Sequence, residues 1–173
     1  MKHTACFTGH RPQSLPCGFD ETHSACLKIK HQLKRLVKGL IDKKNVTHFI
    51  SGGALGVDMW AMEIVLELKK EYPYITLEAA IPCRSQADRW SSKSRKRYNL
   101  LLSLCDRKTL VGEQYTADCM MKRNKYMVDN SDYVIAVWDG KPSGTGNTVR
   151  YAINSKKEVY YIDTNTFKML SAF

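Results

Sequence analysis

The sequence predicts an α/β fold in which helices cover both faces of a mainly parallel sheet. Short apolar runs alternate with longer segments whose apolar residues recur every three or four positions, as strands alternate with helices. No internal repeat or low-complexity linker interrupts this order. Parallel strands joined by helical crossovers give three layers, with the sheet in the middle. At 173 residues, the chain fits a single three-layer domain over residues 1–173.

The first half of the chain is predicted to contain two strands, each followed by a helix. Both strands are short apolar runs, at residues 4–8 and 47–51. Residues 22–44 are predicted to form a helix, because apolar side chains at spacings of three and four give the segment one buried face. The second helix begins near Ala54 and continues until Pro73 blocks it.

The second half of the chain repeats this alternation. Apolar runs predict further strands at residues 75–81, 109–111, 133–137 and 159–162. Helices are predicted at residues 85–104, at residues 117–130 and after Gly146. The helix over residues 85–104 is rich in basic side chains, and we expect Trp90, Leu101 and Leu104 on its inward face.

A glycine-rich segment from Ser51 to Asp58 follows the second strand and opens the second helix. Its three glycines, Gly52, Gly53 and Gly56, allow the backbone to approach a ligand closely. The free amides and the positive dipole end of the helix would then face that ligand, which suits a phosphate. The alternative is a tight turn in which Asp58 helps to cap the helix.

Two further loops of the same kind follow other strands. The loop after the first strand contains Gly9, His10 and Arg11. The loop after the strand at residues 133–137 contains Asp139, Gly140, Gly144, Thr145, Gly146, Asn147 and Thr148. Ligands bind outside the carboxyl ends of the strands of an open parallel sheet, so loops after separate strands can converge on one pocket. We expect such a pocket here, with flexible turns as the alternative.

The formal net charge of +10 is concentrated in two segments predicted to be helical, residues 28–44 and 84–108. One interpretation is that these are solvated outer faces that keep the protein soluble. The other is a polyanionic partner, either a nucleic acid or a multiply phosphorylated ligand.

The composition bears on membranes, cysteines and metals. No apolar stretch is long enough to span a bilayer, and the N-terminus lacks the features of a secretory signal, so we expect a cytoplasmic location and no membrane partner. The six cysteines include no CxxC pair and no His/Cys cluster with zinc-like spacing. We expect most of them to be reduced, and no metal site is predicted.

The chain resembles the SLOG superfamily of Rossmann-like proteins, and within it most closely the YpsA-like branch. The resemblance rests on the motifs at residues 8–12, 51–58 and 123–148 and on the order of elements, over roughly residues 3–162. It implies a nucleotide or nucleotide-derived ligand, such as an ADP-ribose-like molecule, held by its phosphate. No further cofactor is assigned, and a homo-oligomer is left open.

Two groups of related proteins suggest other functions. The pattern Ser-Gly-x-Ala-x-Gly-x-Asp at residues 51–58 is similar to a loop of DprA-type proteins, which bind single-stranded DNA. The segment from Arg123 to Asp132 resembles one in LOG-type phosphoribohydrolases, which release a base from a nucleoside monophosphate with that arginine and a glutamate. Alignment through Gly146 places Arg150 at the position of the glutamate, and residues 140–150 contain no carboxylate. A ligand-binding protein is therefore the leading interpretation. A single-stranded DNA-binding module and a nucleotide N-glycosidase are the alternatives, and no catalytic residue is assigned.

The nucleotide-binding hypothesis gives individual side chains a role. Arg11 would bind a phosphate, while Arg123 and Asn124, early in a helix, would contact a phosphate or a base edge. Asp139 would accept hydrogen bonds from ribose hydroxyls, and Trp90 would stack on a base. The alternatives are a surface ion pair for Arg11, a solvent-facing helix start for Arg123 and Asn124, a turn for Asp139 and a core position for Trp90.

Overall fold

The computed structural model describes residues 1–172, which form a seven-stranded sheet with five helices. The strands lie in the order β4-β3-β2-β1-β5-β6-β7. Neighbouring strands are parallel except for β6 and β7, which are antiparallel. The strands are β1 (His3–Gly9), β2 (Val46–Ser51), β3 (Thr76–Ile81), β4 (Arg107–Leu110), β5 (Tyr133–Trp138), β6 (Glu158–Asp163) and β7 (Met169–Ala172).

The helices divide between the two faces of the sheet. They are α1 (Ser24–Lys44), α2 (Val57–Leu68), α3 (Ser92–Leu104), α4 (Cys119–Asp129) and α5 (Gly144–Asn154). The alternation of side chains along β1 shows the division, because successive residues of a strand point to opposite faces. Ala5 and Phe7 pack in a core formed with α1, α2 and α3, whereas Cys6 packs in a second core formed with α4 and α5. The three-layer, Rossmann-like α/β fold is therefore confirmed.

The predicted strands are all present, and their ends differ from the prediction by one or two residues at most. The antiparallel strand β7 was not predicted. It follows β6 after the short connection 164–168, in which Asn165 N donates to Asp163 Oδ1 at 2.7 Å. The predicted extent of the second helix was wrong, because α2 ends at Leu68 and the chain continues in turns before Pro73.

The predicted start of the basic helix was also wrong. Residues 85–90 form turns, and α3 begins only after Ser91, whose Oγ accepts a hydrogen bond from the Ser94 amide at 3.1 Å. A serine in this position satisfies an amide of the first helical turn that lacks a backbone partner. Trp90 therefore precedes the helix, where it is half-buried.

The inward face of α3 differs from the prediction at one leucine. Leu101 is buried as expected, but Leu104 is 50% exposed, because it is the last residue of the helix and projects towards solvent. Tyr98, which lies one helical turn before Leu101, is buried on this face. The three residues that precede Tyr98 are basic, so the apolar pattern alone did not indicate it.

The order of the strands determines where a site can form. The chain leaves β1 through α1 to β2 on one side, and β5 lies on the other side of β1. Neighbouring strands whose connections leave in opposite directions form a crevice outside their carboxyl ends. The loops that follow β1 and β5 lie on either side of this crevice.

Candidate functional site

A cavity of about 480 Å³ lies at the carboxyl ends of β1 and β5. Its walls come from four separate segments: the end of β1 with its loop, the start of α2, the first turns of α4 and the start of α5. The lining residues are Phe7, Thr8, Gly9, His10, Arg11, Gln13, Ser14, Ala54, Asp58, Met120, Arg123, Asn124, Ser143, Gly144 and Thr145. The three glycine-bearing loops predicted from the sequence thus lie at one edge of the sheet.

The backbone of the Ser51–Asp58 loop forms hydrogen bonds with the Ser51 and Asp58 side chains of the same loop. Ser51 Oγ donates to the Asp58 carbonyl at 2.9 Å and accepts from the Gly53 amide at 3.3 Å. Asp58 Oδ2 accepts from the Ala54 amide at 3.2 Å. Of this loop, only Ala54 and Asp58 line the cavity. The loop therefore forms the support behind the cavity wall.

Gly56 marks a close approach between this loop and the loop after β1. Its φ is 88°, in the region that residues with a side chain rarely adopt. A Cβ atom at this position would lie 2.8 Å from the His10 carbonyl oxygen. The residue at position 56 must consequently be small and in an unusual conformation for the two loops to pack together.

Arg123 lies on α4 and is buried, with 3% of its surface exposed. Its Nη1 donates to the Gly52 carbonyl at 2.6 Å and to Gln86 Oε1 at 3.3 Å. Its Nε donates to Asn124 Oδ1 at 3.0 Å. Within the described residues, Nη2 meets only the Met120 sulfur, at 3.7 Å. Because a thioether is a weak acceptor, Nη2 keeps its capacity to donate to a ligand.

Asp58 and Arg123 are opposite charges on the same cavity. Burial raises the pKa of the Asp58 carboxyl, and the positive charge of Arg123 acts against this shift. Burial lowers the pKa of Arg123, and the negative charge of Asp58 acts against that shift. A Cβ atom on Gly52 would lie 2.4 Å from Arg123 Nη1 and 2.8 Å from Asp58 Oδ2, so only glycine fits between them. The two charges offset one another. Any net positive charge on the cavity must therefore come from another side chain.

Arg11 supplies that positive charge. It is exposed in the loop after β1, lines the cavity, and makes no ion pair with any described residue. Because a guanidinium stays charged and presents paired donors, it suits a phosphate or a carboxylate.

The start of α5 adds backbone donors on the opposite wall. Ser143 caps this helix, since its Oγ accepts from the Gly146 amide at 3.0 Å. The amides of Gly144 and Thr145, which come first in the helix, have no hydrogen-bond partner among residues 1–172. Both residues line the cavity. Free amides at a helix start attract anions through their N–H groups and the helix dipole.

His10 and Asp139 join the loops after β1 and β5. His10 is buried, and its Nε2 lies 3.2 Å from the Asp139 amide nitrogen and 3.2 Å from Asp139 Oδ1. The Asp139 carboxylate also accepts from the Lys141 amide at 2.9 Å. His10 reaches the cavity, but Asp139 does not line it.

The structure brings together about half of the residues predicted for the site. Those that line the cavity are Gly9, His10, Arg11, Asp58, Arg123, Asn124, Gly144 and Thr145. Those that lie outside the lining are Ser51, Gly52, Gly53, Gly56, Asp139, Gly140, Gly146, Asn147 and Thr148. The buried members of this second set, such as Ser51 and Gly52, support the wall.

Seven lining residues were not among the predicted site residues. They are Phe7, Thr8, Gln13, Ser14, Ala54, Met120 and Ser143. Thr8, Ala54 and Ser143 belong to the loop motifs already singled out, so those motifs could have indicated them. Met120 lies four residues before Asn124, a spacing that places both on one side of a helix. Gln13 and Ser14 lie in a 3₁₀ turn, Pro12–Ser14, that no pattern in the sequence indicated.

Arg150, aligned with the glutamate of LOG-type enzymes, is exposed on α5 and does not line the cavity. Asp58 is the one carboxylate among the lining residues, all of which are described by the structure. Over residues 1–172, no three His, Cys, Asp or Glu side chains lie close enough to hold a metal ion. Within the same range, no helix combines the length and apolar character that crossing a bilayer requires.

The two basic segments differ in how their charges are neutralised. On α1, Lys30 pairs with Glu21 at 2.7 Å and Lys34 pairs with Glu67 at 2.8 Å. Such surface pairs are typical of a solvated outer face. On α3, the exposed cations Lys93, Arg95 and Lys96 have no ion-pair partner in the described chain.

The parallel sheet and the cavity at its carboxyl edge together define a Rossmann-like protein with a candidate binding site in the usual place for that class. Comparison with known sequences makes this assignment specific. The chain belongs to the YspA SLOG family, whose sequence profile matches residues 5–170. The resemblance to the SLOG superfamily and its YpsA-like branch is thereby confirmed.

Individual relatives agree with this assignment. The uncharacterized SPbeta prophage-derived protein YoqJ of Bacillus subtilis is 37% identical over 138 residues, which cover 73% of this chain and 81% of YoqJ. The UPF0398 protein BH1768 of Halalkalibacterium halodurans is 29% identical over 140 residues, with 80% of this chain and 73% of the relative covered.

Two solved structures of DNA processing protein A, DprA, have a similar fold. The protein from Streptococcus pneumoniae matches with a TM-score of 0.63 and 20% identity, covering 92% of this chain and 50% of its own. The protein from Helicobacter pylori matches with a TM-score of 0.61 and 20% identity, covering 92% of this chain and 64% of its own. This chain thus corresponds to half to two thirds of each DprA chain.

Proposed function

We propose that this protein binds a nucleotide or a nucleotide derivative in the cavity at the carboxyl ends of β1 and β5. One observation carries the proposal: Arg11, the free Nη2 of Arg123 and the unpaired amides of Gly144 and Thr145 line the same cavity. These are the groups that bind phosphate oxygens in proteins. The cavity, at about 480 Å³, is also within the usual range for small-ligand sites.

The remaining lining residues suit the sugar of such a ligand. Asp58 keeps acceptor capacity on its carboxylate, because the Ala54 amide is its one hydrogen-bond donor within the described chain. A carboxylate on the wall of a nucleotide site can accept hydrogen bonds from ribose hydroxyls, as another carboxylate does in dinucleotide-binding folds. The phosphate would therefore lie between Arg11 and α5, with the sugar towards Asp58.

The Ser51–Asp58 loop has a supporting role in this proposal. Its amides donate to Ser51 and Asp58, and the Gly52 carbonyl accepts from Arg123. The loop therefore fixes the positions of Asp58 and Arg123, the two opposite charges on the cavity wall. Direct contact with the phosphate belongs mainly to Arg11 and the start of α5.

Calorimetric titration with nucleoside mono- and diphosphates, ADP-ribose and cyclic nucleotides tests the proposal. We expect at least one ligand to bind, and Arg11→Ala to weaken it by about tenfold or more, because a charge-assisted hydrogen bond is worth roughly 1.5 to 3 kcal/mol. The matched control is Arg35→Ala, which removes the same charge from the exposed side of α1. Absence of binding to every ligand, or equal losses in both variants, would contradict the proposal.

Single-stranded DNA binding is a second candidate function. The Helicobacter pylori DprA is described as binding single-stranded DNA, and its fold matches 92% of this chain. The observation that favours this function is the group of unpaired cations on α3, Lys93, Arg95 and Lys96. Gel-shift titration should then show binding to an oligonucleotide that is lost when all three are replaced by glutamine. Binding that survives this replacement would exclude α3 as the DNA-binding surface.

A further inference from the structure

A second cavity, of about 340 Å³, adjoins the first. Arg11 and Gln13 line both cavities, so these two side chains form the partition between them. The other lining residues of the second cavity are Phe19, Leu55, Arg89, Trp90, Ser91 and Ser94. A ligand anchored at Arg11 can therefore extend from one cavity into the other.

The second cavity presents aromatic rings. Phe19 is 67% exposed, which is unusual for a large apolar side chain, and Trp90 is half-buried. Trp90 is held in place by Tyr98, whose ring packs edge-on with centroids 5.2 Å apart and planes at 76°. A fixed indole beside an open cavity is a suitable surface for stacking a planar base.

The charge of the second cavity is positive. Arg11 and Arg89 line it, and its lining contains no carboxylate within the described residues. Neither arginine makes an ion pair with any residue from 1 to 172. The cavity therefore attracts anionic ligands, as does the first cavity beside it.

A third cavity continues from the second, but its charge is different. It shares Phe19, Leu55, Ser91 and Ser94 with the second cavity, and its arginine is Arg97. The Arg97 guanidinium already binds two carboxylates, with Nε 2.6 Å from Glu63 Oε1 and Nη2 2.8 Å from Glu21 Oε1. The same cavity is lined by the Glu21 carboxylate and by Lys93, so its charge is mixed, whereas both cations that line the second cavity are unpaired in the described chain.

We propose that the ligand is a dinucleotide, meaning two nucleosides joined through a bridge of one or two phosphates, and that the second cavity binds its second base. This inference rests on the proposed function, which places the first nucleotide in the first cavity. The phosphate bridge lies at Arg11 between the cavities. The second base stacks on Trp90, with Phe19 and Arg89 at its edges.

A chain of buried hydrogen bonds connects the two cavities. Gln86 Nε2 donates to the Gly52 carbonyl at 3.2 Å and to Tyr98 Oη at 3.1 Å. Gln86 Oε1 accepts from Arg123 in the first cavity, and Tyr98 packs against Trp90 in the second. This chain of hydrogen bonds, the Arg123–Gln86–Tyr98 relay, sets the position of the Arg123 guanidinium, which can donate to a phosphate, relative to the Trp90 ring.

Two probes that differ only in the second base test the inference. Diadenosine diphosphate and ADP-ribose both carry a diphosphate between two riboses and have equal charge, but only the former has a second adenine. We expect diadenosine diphosphate to bind about tenfold more tightly by calorimetry, since stacking contributes roughly 1 to 3 kcal/mol per base. Trp90→Leu should remove most of this difference and leave the affinity for ADP-ribose within about twofold.

Three further measurements complete the experiment. Phe19→Ala should reduce the preference for the second base, whereas Tyr115→Ala, at another exposed aromatic residue, should not. Both positions are exposed, so these variants are expected to fold even if Trp90→Leu does not. A twelve-residue deoxyadenosine strand should bind no more tightly per strand than the dinucleotide.

The outcomes separate this inference from the proposed function. Equal binding of both probes would overturn the second-base site and leave the first cavity as a nucleotide site. Affinity that rises strongly with strand length would also overturn it, in favour of a nucleic-acid strand. If neither probe nor any nucleotide binds, the proposed function fails and this inference fails with it.

Discussion

At the scale of single residues, buried polar side chains at the carboxyl edge of the sheet connect segments that are distant in the sequence. Arg123 was identified by resemblance, but the sequence did not show that its guanidinium binds backbone oxygen on one side and faces the cavity on the other. Gln86 and Tyr98 were not predicted as partners of Arg123, because they come from a different part of the chain and only the tertiary fold brings them together. A single sequence shows which groups are present, whereas hydrogen bonds between distant segments depend on packing.

Both the planar shape and the charge of the Arg123 guanidinium should be needed for full stability of the protein. Arg123→Lys keeps the charge, but its three N–H donors share one nitrogen and cannot reproduce the planar fork that reaches the Gly52 carbonyl and the Asn124 side chain while Nη2 faces the cavity. We expect the free energy of unfolding to fall by about 2 kcal/mol, because buried oxygen atoms lose charge-assisted hydrogen bonds. Urea unfolding measures this loss, with Arg35→Lys as the control at an exposed position. A variant as stable as the original protein would contradict the hydrogen-bond assignment.

Glu78 on β3 should make stability depend on acid pH. Burial raises the pKa of this carboxyl, but hydrogen bonds from His48, Thr109 and Tyr126, each 2.7 Å long, outweigh it and lower the pKa from 4.5 to about 2. A lowered pKa in the folded state stabilises the protein above pH 4.5, and this stabilisation is lost as the pH falls towards 2. The expected loss is roughly 2 to 3 kcal/mol.

Unfolding in denaturant at pH 7 and pH 2.5 tests the role of Glu78. The difference in free energy of unfolding between the original protein and Glu78→Gln should be large at pH 7 and small at pH 2.5. Glu113→Gln is the control, because Glu113 is 69% exposed and its pair with Arg84 contributes little. A difference that does not change with pH would show that the ionised carboxylate is not the stabilising form.

At the scale of elements, the sequence predicted strands better than it predicted where helices begin and end. A buried strand in a parallel sheet is a continuous apolar run, which is easily seen. The start of α3 depends on a single hydrogen bond at Ser91, and the basic residues around Tyr98 obscured its inward face. The strand β7 was missed because it is a short edge strand of four residues that pairs only with β6.

Two glycine substitutions should have opposite effects on stability. Gly56→Ala places a Cβ atom 2.8 Å from the His10 carbonyl at a φ of 88°, and should lower the free energy of unfolding by about 2 kcal/mol or more. Gly39→Ala adds a Cβ atom in the interior of α1 with nothing within 4 Å. We expect it to raise the free energy of unfolding by about 0.5 to 1 kcal/mol, because alanine favours helix. Thermal and urea unfolding of both variants measure the effects. Destabilisation by Gly39→Ala would contradict the conclusion that a Cβ atom at position 39 of α1 meets no other atom.

For the whole molecule, the net charge of +10 says less about nucleic-acid binding than the way the charge is distributed. Most lysines of α1 are paired with glutamates, whereas Arg11 and Arg89, two of the arginines without an ion-pair partner in the described chain, line the second cavity. The sequence showed the two basic segments, and each was compatible with a solvated outer face or with a polyanionic partner. It did not distinguish paired from unpaired charges, because the partners lie on other elements.

The salt dependence of oligonucleotide binding should be shallow. If Arg11 and Arg89 are the groups that contact phosphates, the logarithm of the association constant should fall with the logarithm of salt at a slope of about −1.4, at roughly 0.7 per phosphate. Participation of Lys93, Arg95 and Lys96 would steepen the slope to about −3.5. Fluorescence anisotropy of a labelled deoxyadenosine strand over a range of salt concentrations measures this. The steep value, lost on replacement of the three α3 cations by glutamine, would favour the DprA-like function.

The Arg123–Gln86–Tyr98 relay has a thermodynamic consequence for the two cavities. A ligand group that draws Arg123 forward must alter its bond with Gln86, and through Gln86 the setting of Tyr98. Occupation of one cavity and affinity in the other are then linked, and the coupling free energy is the same in both directions. A fragment that fills one cavity should therefore change the affinity of the other cavity for its own fragment by the same factor as in the reverse order of binding.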